Sequence, residues 1–246
     1  MRPTIESLTE RDIAKTIDHS LLKPELDDAF IEDGCRLAAE YDVASVCVPP
    51  VHVRRAAAIL AATDVKVGTV VGFPHGYATT ETKVAETRQA LADGATEIDM
   101  VLQIGALKSS RDSDVQADIA TVVDVAHAGG AIVKVIFENA YLNDDEKIRA
   151  CRLTEAAGAD FVKTSTGFAA GGATHDDLRL MRANTSPHMR VKAAGGVRTL
   201  DALLDVMALG VTRIGATATK TIIDDFRARK AGRQPVSAAG AAEGGY

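Results

Sequence analysis

The chain has 246 residues, 46% hydrophobic and 25% charged, with a formal net charge of −6. This length suits one large domain or two small ones, and the composition suits an ordinary soluble core. No surplus of cations is available to neutralise phosphates, which excludes nucleic-acid binding as the main role.

Cys35, Cys47 and Cys151 fit neither a zinc site nor a disulfide framework, and an odd count in a long chain suggests a reducing compartment. The first twelve residues are charged and carry no apolar core segment, so no signal peptide is expected. No run approaches the roughly 18 apolar residues of a membrane span. A cytoplasmic protein with no membrane partner is expected.

Residues 8–15 read as a short leading helix and 16–22 as a strand ended by Pro24. Residues 25–41 carry apolar side chains at helical spacing: Leu26, Phe30, Leu37 and Ala38. A compact strand, 44–48, stops at Pro49-Pro50; an alanine-rich helix, 51–62, follows. A strand at 65–73 runs to Gly72-Phe73-Pro74, and a helix at 79–92 can be capped by Thr79 or Thr80.

From there the chain repeats. Gly94, Gly129, Gly158 and Gly210 each follow a helix, and five residues on come Asp99, Lys134, Lys163 and Gly215. Glycine takes the left-handed position that ends a helix, so each offset falls late in a short strand with the same side-chain parity. Lys134, Lys163 and Lys192 are also spaced 29 residues apart, one βα unit per step. Eight strands result, around Ile17, Val46, Val67, Ile98, Val133, Val162, Val191 and Ile214, with a last helix over 219–230. Alternating β and α elements imply a parallel sheet, and eight of them imply an α/β fold of the TIM-barrel, (β/α)8 type as a single domain over 1–230. An open doubly wound sheet is the alternative, weakened by the lack of a GxGxxG fingerprint after the first strand. Residues 231–246, rich in Gly, Ala and Ser, are expected to form a flexible tail.

In a barrel the C-terminal strand ends share one mouth, where chemistry sits. That mouth would gather Asp18, Cys47, Asp99, Lys134, Lys163 and Lys192. A lysine on a buried strand is costly when charged, burial disfavours its charged form, and a second cation does the same. An unprotonated amine attacks carbonyl carbon, and nearby carboxylates shuttle protons. The combination suits Schiff-base chemistry on an aldehyde or ketone, and leaves open which lysine attacks. Glycines at 171–172, 195–196 and 215 precede helices, where backbone N–H groups bind phosphate; phosphate sites after the seventh and eighth strands are frequent in this fold. Ser165 and Thr166 offer hydroxyls to a substrate or cap the loop. Arg198 and Arg213 read as phosphate contacts or surface charges, Glu97 as structural, and His19, His75 and His175 as loop residues. Cys47 reads as a small buried hydrophobe or a mouth-facing thiol. No His pair has metal-ligand spacing beside a carboxylate, so no metal is expected.

Several long motifs in order resemble the class I, lysine-dependent deoxyribose-phosphate aldolases. They are Ile17-Asp18-His19-Ser20-Leu21-Leu22-Lys23-Pro24, Glu97-Ile98-Asp99-Met100-Val101, Ile104-Gly105-Ala106-Leu107-Lys108, Phe161-Val162-Lys163-Thr164-Ser165-Thr166-Gly167 and Val191-Lys192-Ala193-Ala194-Gly195-Gly196-Val197-Arg198. The resemblance implies reversible cleavage of 2-deoxy-D-ribose 5-phosphate to acetaldehyde and D-glyceraldehyde 3-phosphate, with no cofactor. It implies Lys163 as Schiff-base nucleophile, Lys192 as the cation beside it, Asp99 in proton transfer, Asp18 as partner of Lys192, and Lys134 in the surrounding charge network. Phosphate would lie against Thr166, Gly167, Gly171, Gly172, Gly195, Gly196, Gly215 and Thr217. The last loop reads Gly215-Ala216-Thr217-Ala218 where many relatives carry Gly-x-Ser-Ser, and Phe168 stands where some have lysine. Tyr246 matches a terminal tyrosine that reaches the active site in some relatives. A homodimer is expected, since closed symmetric dimers are the commonest assembly and the family often dimerises. Two other readings remain: a Schiff-base aldolase or transaldolase for another sugar phosphate, and a non-catalytic barrel binding phosphorylated metabolites. The intact Lys163, Lys192 and Asp99 set speaks against the second.

Overall fold

Eight strands close into one parallel barrel in sequence order, the last pairing with the first. The computed structural model describes residues 2–234. In chain order the elements are α1 (Glu10–Ala14), β1 (Ile17–Ser20), α2 (Asp28–Glu40), β2 (Ser45–Val48), α3 (Val53–Leu60), β3 (Lys66–Val71), α4 (Thr80–Ala92), β4 (Glu97–Val101), α5 (Ile104–Lys108), α6 (Asp112–Ala128), β5 (Ile132–Ile136), α7 (Asp144–Ala156), β6 (Phe161–Lys163), α8 (His175–Ala183), β7 (Arg190–Ala194), α9 (Leu200–Ala208), β8 (Val211–Ala216) and α10 (Thr219–Lys230). Every expected strand is present, and the (β/α)8 barrel replaces the open-sheet alternative. The short α5 is an addition that the sequence reading lacked.

Helix starts follow local chemistry. Thr79 caps α4 by accepting from the Thr82 N–H, and Asn143 with Glu146 forms a reciprocal capping box on α7. Helix ends follow the glycines, with one correction. Gly94, Gly158 and Gly210 are left-handed, but Gly129 is not; Gly130, at φ +77°, holds that position. Gly129 is itself the last half-helical residue of α6, so the left-handed turn falls one residue later.

Strand parity sorts the two faces of the barrel. Ile17, Val46, Ile98, Met100, Val133, Val135, Val162, Val191, Ala193 and Ile214 belong to the main apolar core. That core fills the space between the sheet and its helices. The alternate positions turn into the lumen, which TIM barrels usually fill with Val, Ile and Leu. Here they carry Asp18, Ser45, Asp99, Lys134, Lys163 and Lys192, all buried. A fully buried ion pair lies outside the lumen: Lys83 Nζ of α4 donates to Asp118 of α6 at 2.6 Å and to the Val101 carbonyl at 2.9 Å. It pins the end of β4 to two helices.

His19 is not a loop residue. It lies in β1 facing outward, 6% exposed, and its Nδ1 sits 2.9 Å from Thr219 Oγ1 at the start of α10. Burial pushes its pKa down to about 4. Two glycine loops at the mouth also touch: a Cβ on Gly172 would lie 2.8 Å from the Gly195 backbone carbon and oxygen. Gly195 itself is left-handed, at φ +78°.

Two outcomes follow from these contacts. Gly172→Ala forces the β6–α8 and β7–α9 loops apart and lowers stability by about 1–3 kcal/mol. Gly105→Ala, in α5 with no atom within 4 Å of the added Cβ, gains about 0.5–1 kcal/mol; thermal unfolding of both variants checks the contrast. His19 titrates near 6.5 when unfolded and about 4 when folded. Between those values the unfolded state binds more protons. The stabilisation is therefore complete above pH 6.5 and is lost as pH falls toward 4, on the order of 3 kcal/mol. Urea unfolding from pH 7 to 4 should show a flatter profile for His19→Gln, and parallel profiles would contradict this.

Candidate active site

Register brings the inward positions of seven strands together. Asp99 pairs with Lys134 across β4 and β5, Lys163 with Lys192 across β6 and β7, and Asp18 with Ser45 and Gly215 across β1 and its neighbours. Lys163 is the last residue of β6, and its strand is clamped on both sides. Its carbonyl accepts from Phe137 N at 3.0 Å, and Thr164 N donates to the Lys192 carbonyl at 3.2 Å.

Asp99 is the centre. Its Oδ1 accepts from Lys134 Nζ at 2.7 Å, and its Oδ2 from both Lys163 Nζ and Lys192 Nζ, each at 2.7 Å. Lys192 also reaches Asp18 Oδ2 at 2.5 Å, and Ser45 Oγ donates to Asp18 Oδ1 at 2.6 Å. Lys134 continues inward to Glu97 at 2.6 Å. Arg213 closes the set, 2.5 Å from Asp18 and 3.0 Å from Glu97.

Arg213 is thus neither a surface charge nor a phosphate contact. It lies on β8 two residues before Gly215, so it shares that glycine's inward parity. Glu97 relates to Asp99 in the same way and is equally buried, so it belongs to the charge network and not merely to the scaffold. Asp99 and Lys134 sit mid-strand, beneath the mouth and not at it. The throat above them is a narrow cleft, too tight as it stands to hold a water molecule, whose wall includes Asp18, Cys47, Lys163, Lys192 and Gly215.

Burial alone would raise the Asp18 carboxyl, but Lys192, Lys134 and Arg213 hold it well below the usual carboxylate range. Asp99, raised by burial, is held down in the same way by Lys134, Lys163 and Lys192. Burial opposes the charge on Lys134, and Asp99, Glu97 and Asp18 more than restore it, so its pKa is raised. Arg213 follows the same pattern beside Asp18 and Glu97. Burial pushes the Cys47 thiol up to about 11, so it is a poor nucleophile at neutral pH. The lumen therefore sets four basic groups, Lys134, Lys163, Lys192 and Arg213, against three carboxylates, Asp18, Glu97 and Asp99. By formal charge the set has one base more than it has acids. Lys163 contacts one carboxylate only, whereas Lys192 contacts two and Lys134 three.

The expected phosphate residues divide. Thr166 is buried, and Glu138 accepts both its N–H, at 3.2 Å, and its hydroxyl. Thr166 Oγ1 in turn accepts from Phe168 N at 3.0 Å. Glu138 adopts φ +56°, a left-handed conformation that no sequence signal announced. Gly167, Gly171, Gly195 and Gly196 are all left-handed, and Ala173 N donates to the carbonyls of Ala194 and Gly195, so these loops touch at the mouth. Gly215 lies within β8, not in a loop. A Cβ there would make only ordinary contacts, 3.5 Å from Ala194 Cβ and 3.7 Å from Lys192 Cε, so the position is not closed to a side chain by sterics. Thr217 is exposed just before α10, whose N-cap, Ala218, provides no side-chain cap. Tyr246 and most of the expected tail lie outside the described residues. Among the described residues, no helix is long and apolar enough to cross a membrane.

Comparison with known proteins supplies the family. The family model described as DeoC/LacD family aldolase matches residues 13–241. A deoxyribose-phosphate aldolase of Rhodopirellula baltica is 50% identical over 216 residues, covering 88% of this chain and 90% of the relative. One from Geobacillus sp. (strain WCH70) is 51% identical over 215 residues, covering 87% and 96%. Among solved structures, the deoxyribose phosphate aldolase of Aeropyrum pernix, described as tetrameric, superposes with a TM-score of 0.83 at 29% identity, covering 90% of this chain and 93% of that one. The chain belongs to the DeoC/LacD family of aldolases and is a carbon–carbon lyase.

Proposed function

We propose that this aldolase reversibly cleaves 2-deoxy-D-ribose 5-phosphate to acetaldehyde and D-glyceraldehyde 3-phosphate through a Schiff base on Lys163. One observation carries the reading: Lys163 ends its strand at the wall of the throat and shares the single oxygen Asp99 Oδ2 with Lys192. The names of the relatives support the substrate.

Unprotonated Lys163 attacks the aldehyde carbon of the open-chain sugar phosphate. Loss of water leaves a protonated imine, which accepts the electron pair of the bond between the second and third carbons. As that bond breaks, the hydroxyl on the third carbon loses its proton and becomes the aldehyde of glyceraldehyde 3-phosphate. Protonation of the remaining enamine, then hydrolysis, releases acetaldehyde and restores Lys163. The iminium is the electron sink, so the step asks nothing of a metal or cofactor. Lys192 keeps a positive charge beside the nucleophile, Asp18 anchors Lys192, and Lys134 anchors Asp99. Asp99, working through water, moves protons at the carbinolamine and enamine stages. Gly167, Gly171, Gly172, Gly195, Gly196, Thr217 and the open start of α10 face the phosphate, with Gly215 at the floor, while Thr166, bonded to Glu138, shapes the loop beneath them. Substrate and products are small soluble metabolites, which suits a cytoplasmic enzyme, and the assembly is a homo-oligomer, with a dimer as its simplest closed form.

Borohydride added with deoxyribose phosphate should attach a reduced two-carbon or sugar adduct to Lys163, mapped by mass spectrometry. Lys163→Leu should lower turnover on the order of 10⁴-fold or more, as removing a covalent nucleophile does. An adduct on another lysine, or full activity in Lys163→Leu, defeats the assignment.

A further inference from the structure

The throat contains a side chain that the chemistry above leaves unused. Ser20 is the last residue of β1 and shares inward parity with Asp18. It is 5% exposed, lines the same cavity as Lys163 and Lys192, and its Oγ has no hydrogen-bond partner among the described residues. A buried hydroxyl without a partner costs stability, and of the three such side chains among the described residues, Ser20, Asn139 and Thr154, only Ser20 lines the throat where a substrate could supply one.

The other walls of the cavity are already committed. Both Asp18 oxygens accept bonds, from Ser45 and Arg213 on one and from Lys192 on the other. Lys192 donates to Asp18 and Asp99 and, as an ammonium, has no lone pair to accept with. The Cys47 thiol is a weak donor. Leu22, Ala194 and Gly215 offer no polar side chain. Ser20 alone brings a hydroxyl, donor and acceptor together, with neither capacity spent on the protein.

We propose that Ser20 Oγ–H donates a hydrogen bond to the substrate oxygen on the carbon that Lys163 attacks, first as the aldehyde oxygen and then as the carbinolamine hydroxyl. This inference rests on the Schiff-base reading. As the amine lone pair forms the C–N bond, the carbonyl π pair moves onto that oxygen. The oxygen then takes a proton from the amine, and with a second proton from solvent it departs as water while the nitrogen pair forms the C=N bond. Ser20 keeps its own proton throughout. Its bond is strongest while the oxygen carries developing negative charge, so it favours the transition state over the bound aldehyde. Once water has left, the hydroxyl is free again, and the same contact serves hydrolysis in reverse.

The test is the rate of borohydride trapping, with turnover and thermal midpoint measured alongside, in the wild-type enzyme, Ser20→Ala and Ser20→Thr. Ser20→Ala should still label Lys163, but about tenfold or more slowly, with a matching fall in kcat. Its thermal midpoint should be unchanged or higher, because only an unpaired buried hydroxyl is removed; a merely structural serine would lower the midpoint instead. Ser20→Thr keeps the hydroxyl and should trap within about threefold of wild type. Trapping by Ser20→Ala at the wild-type rate, or by Ser20→Thr as slowly as Ser20→Ala, overturns the inference. Failure of the wild-type enzyme to label Lys163 at all would instead overturn the Schiff-base reading on which it stands.

Discussion

One carboxylate organises the interior of this barrel. Asp99 accepts from three lysines that arrive on three different strands, Lys134 on β5, Lys163 on β6 and Lys192 on β7. Three ammonium groups around one buried carboxylate would be prohibitive alone. Asp18 and Glu97 share the load, and Arg213 ties those two together from below. The arrangement still leaves more bases than acids. That imbalance, not any single contact, is what turns a structural ion cluster into a candidate nucleophile.

The fold makes the imbalance tolerable. Four of the charged residues occupy inward positions of strands with apolar outward neighbours: Ile98 beside Asp99, Val133 and Val135 beside Lys134, Val162 beside Lys163, and Val191 beside Lys192. The stabilising burial lies on the outer face of the sheet, against the helices, so the lumen is free to hold polar groups. Structural ion pairs such as Lys83–Asp118 show the contrast. There one cation meets one carboxylate and a strand carbonyl, with no second cation in the set.

Much of this was legible in the sequence, because parity and period are local properties. The 29-residue spacing of Lys134, Lys163 and Lys192 places them in successive βα units, and all eight strands lie where the periodicity puts them. Asp18 and Asp99 follow by the same rule. What the sequence left hidden depends on the third dimension. Arg213 reads like any surface arginine until closure of the barrel brings β8 against β1 and points its guanidinium at Asp18. Glu97 lies early in β4, and only the tilt of the strands sets it beside Lys134. Glu138 depends on a left-handed backbone that nothing in the local sequence demands, and Gly129 misled by one residue because two glycines stand together. Ser20 was visible only as part of a motif; that its hydroxyl has no partner is a property of the packed throat.

A Schiff base on Lys163 requires that this amine be without its proton when it meets the aldehyde. The most direct measurement is NMR of the lysine side-chain Cε and Nζ resonances in the substrate-free enzyme at pH 7, with assignments made by single Lys→Met variants. A neutral-amine signature is expected at Lys163, beside an ammonium signature at Lys134, whose pKa the surrounding carboxylates raise. Three ammonium signals, or a neutral amine at Lys134, would contradict it.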